Sequence, residues 1–131
     1  MGARKRLRAE NIKATKSTTA FARLNDSPIA PRKMRLVADL VRGVEVNKAL
    51  NILQHNAKFA SNSLAKLLRS AIANWEQKNE GKSIEDENLV VTSIQVDSAA
   101  MMKRIQTAPQ GRAHRVRKRS NHVTIIIDGA K

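Results

Sequence analysis

The stretch Ala113-His114-Arg115-Val116-Arg117-Lys118-Arg119-Ser120-Asn121-His122-Val123-Thr124-Ile125-Ile126-Ile127 changes character half-way along. Arg115, Arg117 and Arg119 occupy alternate positions, so in an extended chain they share one face. Asn121, Val123, Ile125 and Ile127 continue the same parity. One face of a strand over 113–127 is therefore cationic for half its length and apolar for the rest. Such a strand anchors its apolar end in a core and carries its basic end out of the globule. Ten residues of strand reach roughly 33 Å. An isolated two-stranded arm is marginal in water, and like charges along one face weaken it further. Phosphates that neutralise it make it sensible. A sheet with a merely basic exposed face is the plainer alternative, but apolar pairing partners fade toward residues 97–112.

Working outward, residues 89–96 read as the partner strand, with Val90, Ile94 and Val96 on one face and Thr92 between them. Between the strands lie Ser98, Ala99 and Ala100, then Met101 and Met102, then Pro109 and Gly111, as at the end of a long hairpin. Three helices are expected upstream. The first covers 31–42, with Pro31 at its start, Met34, Val37, Leu40 and Val41 as its apolar stripe, and Gly43 as its cap. The second covers 45–54, with Val46, Ala49, Leu50 and Leu53 at helical spacing. Asn56 is the expected N-cap of the third, over 57–78, whose stripe is Ala60, Leu64, Leu67, Leu68, Ala71, Ile72 and Trp75. Asn79-Glu80-Gly81 ends it, and Glu85, Asp86 and Glu87 belong to a solvated loop over 83–88 rather than to a metal or acid–base cluster. Residues 18–25, around Phe21, suggest a short strand. Residues 1–17 are basic with little apolar content and read as a flexible or extended arm ordered only against a partner. Residues 18–131 then form one domain, without internal repeats.

The 131 residues carry 25 Lys and Arg against 11 Asp and Glu, a net charge of +14. The charge is segregated: residues 1–35 hold a net of +8, residues 36–100 a net of −1 and residues 101–131 a net of +7. Two basic ends on a nearly neutral body point to a polyanionic partner, nucleic acid above all. A membrane is not expected: no run approaches the length of a span, and neither basic end has the aromatic apolar face of an interfacial helix. The N-terminal residues lack the apolar stretch of a signal peptide, so a cytosolic protein is expected. Aromatics are few, namely Phe21, Phe59 and Trp75, which favours phosphate contact and shape recognition over base stacking.

Catalysis finds little support. The absence of Cys removes thiol chemistry and Cys-based zinc sites. The five glycines are scattered, so no phosphate-cradling loop exists. His55, His114 and His122 lack metal-ligand spacing. No metal, cofactor or homo-oligomer is expected. One nucleic-acid-binding reading is a free architectural DNA-binding protein, using the basic β-arm with Met101, Met102 and Pro109 as wedges between base steps.

Several blocks resemble family twenty-two of the universal large-subunit ribosomal proteins, in its bacterial form. They are Ser27-Pro28 with 31–43, Leu67 to Asn74, Met102-Lys103-Arg104-Ile105, Gly111-Arg112-Ala113, Lys118-Arg119 and His122 to Ile127, in the family's order over residues 18–127. The resemblance implies an α+β domain: a small antiparallel sheet packed with three helices, plus a long projecting β-hairpin, here about 89–127 with its tip region about 98–112. It implies binding to large-subunit ribosomal RNA beside neighbouring ribosomal proteins, in the cytoplasm. It also implies a hairpin tip that lines the polypeptide exit tunnel and meets the nascent polypeptide. Lys103, Arg104, Arg112, Arg115, Lys118 and Arg119 match the family's basic positions. Arg117 joins them by parity. Arg4, Lys5, Arg6, Arg8, Arg23, Arg32, Lys33 and Arg35 are the further candidates for RNA contact. Met102, Lys103, Arg104, Ile105, Ala108, Pro109, Gln110 and Gly111 are the candidates for the tunnel-lining tip. Ala108-Pro109-Gln110 departs from the more basic run of many bacterial members, Trp75 replaces a usually small residue, and residues 1–17 extend beyond many members.

Overall fold

A computed structural model of the chain describes residues 3–79, 82 and 87–129. In chain order the elements are α1 (Ala3–Thr18), β1 (Ala20–Ser27), α2 (Pro31–Val41), α3 (Val46–His55), α4 (Phe59–Lys78), β2 (Leu89–Thr107), a short 3-10 turn (Pro109–Gly111) and β3 (Ala113–Gly129). The strands form one antiparallel sheet in the order β1-β3-β2. The fold is α+β, and β2 and β3 make the long hairpin.

The sheet's core face is a stack of cross-strand rows. Ala20, Ile127 and Val91 form the first, Ala22, Ile125 and Ile94 the second, Leu24, Val123 and Val96 the third. The helices α2, α3 and α4 cover this face. Met34, Val37, Ala38 and Val41 from α2, Val46, Ala49 and Leu53 from α3, and Leu64, Leu68, Ala71 and Trp75 from α4 complete the core. The fourth row, Ser27, Asn121 and Ser98, is polar, and there the core ends. Beyond it β1 stops, and β2 and β3 continue alone.

The stripe expected on α4 is buried except for Ile72, which is half-buried. On α2 the expected Leu40 is exposed and Ala38 takes its place. At about 100° per residue Leu40 points roughly 120° away from Met34, whereas Ala38 lies near it. Gly43 caps α2 as expected, in the left-handed region at φ 73, and donates to the Val91 carbonyl at 2.9 Å. Asn56 does not occupy the N-cap of α4: its Oδ1 accepts from the Lys58 amide at 3.0 Å, and the helix begins at Phe59. The acidic loop expected over 83–88 falls mostly outside the described residues, as do Glu80 and Gly81; Glu87 lies 2.6 Å from the Lys82 ammonium.

Two expectations are corrected. The face assigned to Val90, Ile94 and Val96 breaks at an irregularity between Val91 and Ser93, where Thr92 is the extra residue. Parity reverses there, so Leu89 and Val91 face the core with Ile94, and Val90 bridges Glu45. The larger correction concerns residues 1–17. From Ala3 on they are not extended but form the helix α1, which adds to the three helices expected. Its Ala, Arg, Lys and Glu are good helix formers, and Arg6 lies 2.9 Å from Glu10 one turn on. It buries no residue. Its C-terminal turn is held by Lys78 of α4, whose ammonium donates to the carbonyls of Lys16 at 2.9 Å and Thr19 at 2.7 Å.

Candidate nucleic-acid interface

The projecting hairpin starts where a second irregularity, between Ser98 and Met101, shifts the register against β3. From there pairing is regular to Thr107 and Ala113, and the chain turns within Ala108 to Arg112, closed by the Ala108 amide on the Arg112 carbonyl at 2.9 Å. The tip is therefore tighter than the expected region 98–112. Met102, Lys103, Arg104 and Ile105 stand on paired strand, and Ala108, Pro109, Gln110 and Gly111 make the turn. Gln110 and Gly111 both take positive φ, at 62 and 69, which the turn's reversal demands.

Residues paired across the strands share a face. One face carries Met101 with Arg119, Lys103 with Arg117, and Ile105 with Arg115. The other carries Met102 with Lys118, Arg104 with Val116, and Gln106 with His114. Both faces are cationic, and Lys103 stands directly opposite Arg117. Residues 98–127 include no Asp or Glu, so the hairpin has no neutralising partner of its own. Between residues 99 and 119 no side chain is buried. Seven cations stand on this unsupported ribbon: Lys103, Arg104, Arg112, Arg115, Arg117, Lys118 and Arg119.

The other candidates separate into groups. Arg4 and Arg8 of α1 and Arg23 of β1 line one groove, between α1 and the outer face of the sheet, with Leu7, Ile12, Phe21 and Ile126 as its apolar part. Lys5 lies outside that lining, and Arg6 pairs with Glu10. Lys33 lines a second groove at the hairpin base, with Lys58, Phe59, Arg117, Lys118 and Arg119. Arg32 is exposed on the first turn of α2. Arg35 serves the fold, since its Nε and Nη2 donate to the Val96 carbonyl at 3.3 and 3.0 Å. Arg42, which carries no signal in the sequence, does the same to the Ile94 carbonyl at 3.2 Å. Together they cover the outer edge of β2 and blunt its open carbonyls. Lys58, Phe59 and Lys78 are likewise silent in the sequence. Their positions follow from tertiary contacts and leave no local pattern.

The model of the family described as ribosomal protein L22p/L17e matches residues 22–128. The chain belongs to this family. Relatives named large ribosomal subunit protein uL22 agree along nearly the whole length. That of Christiangramia forsetii is 61% identical over 127 residues, covering 97% of this chain and 94% of the relative. That of Flavobacterium johnsoniae is 58% identical over 127 residues, covering 97% and 93%. That of Bacteroides fragilis is 57% identical over 128 residues, covering 98% and 93%. These coverages extend into α1, which lies outside the family model. Membership makes the chain a structural ribosomal protein and not an enzyme, and it removes the ground for a free DNA-binding protein.

Glu45 raises the pKa of Lys48, first by a hydrogen bond and then by Coulomb attraction, in a pair 2.8 Å apart on α3's exposed side. His122 is engaged structurally: its Nδ1 accepts from the Asp26 amide at 3.0 Å, which fixes the irregular end of β1, where Asp26 has φ 52.

Proposed function

We propose that the chain is a constituent of the large ribosomal subunit that binds and helps fold its ribosomal RNA through the β2–β3 hairpin. The observation that carries this reading is the ribbon of seven cations without an acid, on a projecting stretch, residues 99–119, that buries no side chain. A hairpin of this kind is poorly stable alone, because like charges face one another across it. Phosphate oxygens supply the missing counter-charge, and guanidinium forks take them two at a time. RNA binding and hairpin ordering are then one event. The basic groups of α1 and of the hairpin base add contacts on either side.

The family resemblance implies that the hairpin tip, Met102 to Ile105 with the turn Ala108 to Gly111, lines the polypeptide exit tunnel beside the nascent chain. The turn's chemistry suits a passage that must not hold its contents. It is compact and uncharged until Arg112.

Replacing Arg115, Arg117 and Arg119 together by Gln tests the RNA reading. The log–log salt dependence of binding to large-subunit ribosomal RNA should flatten by about two units, at about 0.7–0.9 per phosphate lost. An unchanged slope contradicts phosphate binding by these residues.

A further inference from the structure

We propose that the groove at the hairpin base is a pocket for one unstacked RNA base, with Phe59 as its stacking surface. The proposal rests on the RNA reading above and names a second mode of contact within it. Of the three aromatic rings, Trp75 is buried, and Phe21 carries the Lys78 ammonium 5.7 Å from its centroid. Phe59 is 73% exposed. An open aromatic ring at the first position of a helix contributes nothing to the core behind it.

Its surroundings say what would cover it. Ile29 and Leu36 continue the apolar surface beside the ring. Lys33, Lys58, Arg117, Lys118 and Arg119 also line the groove, and among the described residues no acidic one does. A protein segment burying Phe59 and Leu36 would bring its backbone and side chains up to five cations, and would need acids to match them. RNA brings its own charge. A paired duplex offers the cations phosphate but offers the ring no flat partner. An unpaired base splayed from its stack offers both at once, since every base has a π-face and its flanking phosphates lie within reach of the rim. Arg117, Lys118 and Arg119 also belong to the hairpin's phosphate-binding surface, so a strand followed along the hairpin leads into the groove.

The side of the groove away from the hairpin arm is preformed. The buried Asn121 amide donates to the Ile29 carbonyl at 2.6 Å and fixes the 28–30 turn to the hairpin base. The Asn56 side-chain oxygen accepts from the Lys58 amide at 3.0 Å and fixes the loop that delivers Phe59. The backbone that carries the ring is thus fixed before any ligand arrives, which limits the ordering cost of binding.

The test uses the full chain and two short RNA duplexes, identical except that one carries a single unpaired 2-aminopurine. The expected result is about tenfold tighter binding of the bulged duplex, with the aminopurine fluorescence quenched on binding. Phe59→Ala should bring the bulged duplex down to the affinity of the paired one, leaving the paired duplex within about twofold. Phe59→Trp should keep the preference. Equal binding of both duplexes by the unaltered chain, or a preference that survives Phe59→Ala, overturns the pocket and leaves the RNA reading standing. Failure to bind either duplex overturns both.

Discussion

The Lys78 ammonium donates to two carbonyls at the end of α1, and this is the anchor of a helix that buries none of its own residues. Sixteen residues alone are marginal as a helix in water. A cation at a helix C-terminus satisfies orphan carbonyls and complements the dipole. Lys78→Met keeps the aliphatic stem and removes the donors. It should raise amide exchange throughout residues 3–18 to near that of a free coil, while the protection of α4 and the sheet stays as it was. Unchanged protection of α1 would show that the anchor lies elsewhere. This is also where the sequence was least legible. The basic character of 1–17 was plain, but the residue that orders it lies 62 positions from Lys16. Arg35 has a structural role that is hidden for the same reason. Its charge reads as a phosphate contact, and its guanidinium holds a carbonyl 61 positions away.

At the scale of elements, legibility follows regularity. The stripe of α4 and the alternation of Val123, Ile125 and Ile127 were readable because helix and strand kept their ideal periods there. In β2 the period is interrupted at Thr92 and again between Ser98 and Met101, so faces inferred by counting fail. The continuation of β2 to Thr107 was hidden because its residues bury nothing and so leave no apolar pattern. The same fact yields a prediction. Deleting residues 101–119 and closing Ala100 to Ser120 through an Asn-Gly turn should leave the melting temperature within about 3 °C, since no buried side chain is lost and like charges are removed. Binding to large-subunit ribosomal RNA should fall steeply. A drop in melting temperature beyond about 10 °C would make the projecting hairpin part of the core's stability rather than a binding arm.

Taken whole, the molecule divides its labour by distance from the core. Three apolar rows and three helices make the body, the polar row at Ser27, Asn121 and Ser98 closes it, and cations occupy what extends beyond. Charge segregation along the sequence announced this division, because a near-neutral middle flanked by basic ends folds into a body with basic projections. Phe59 was invisible at that scale, since a count of aromatics does not say which ring stays open. The most direct measurement of the central claim is sucrose-gradient fractionation of native lysate, probed for this chain with and without RNase at low and moderately high salt. Co-sedimentation with the large ribosomal subunit that survives the salt and is lost after RNase is the predicted result. Sedimentation at the top of the gradient, or with material released by DNase, would contradict it.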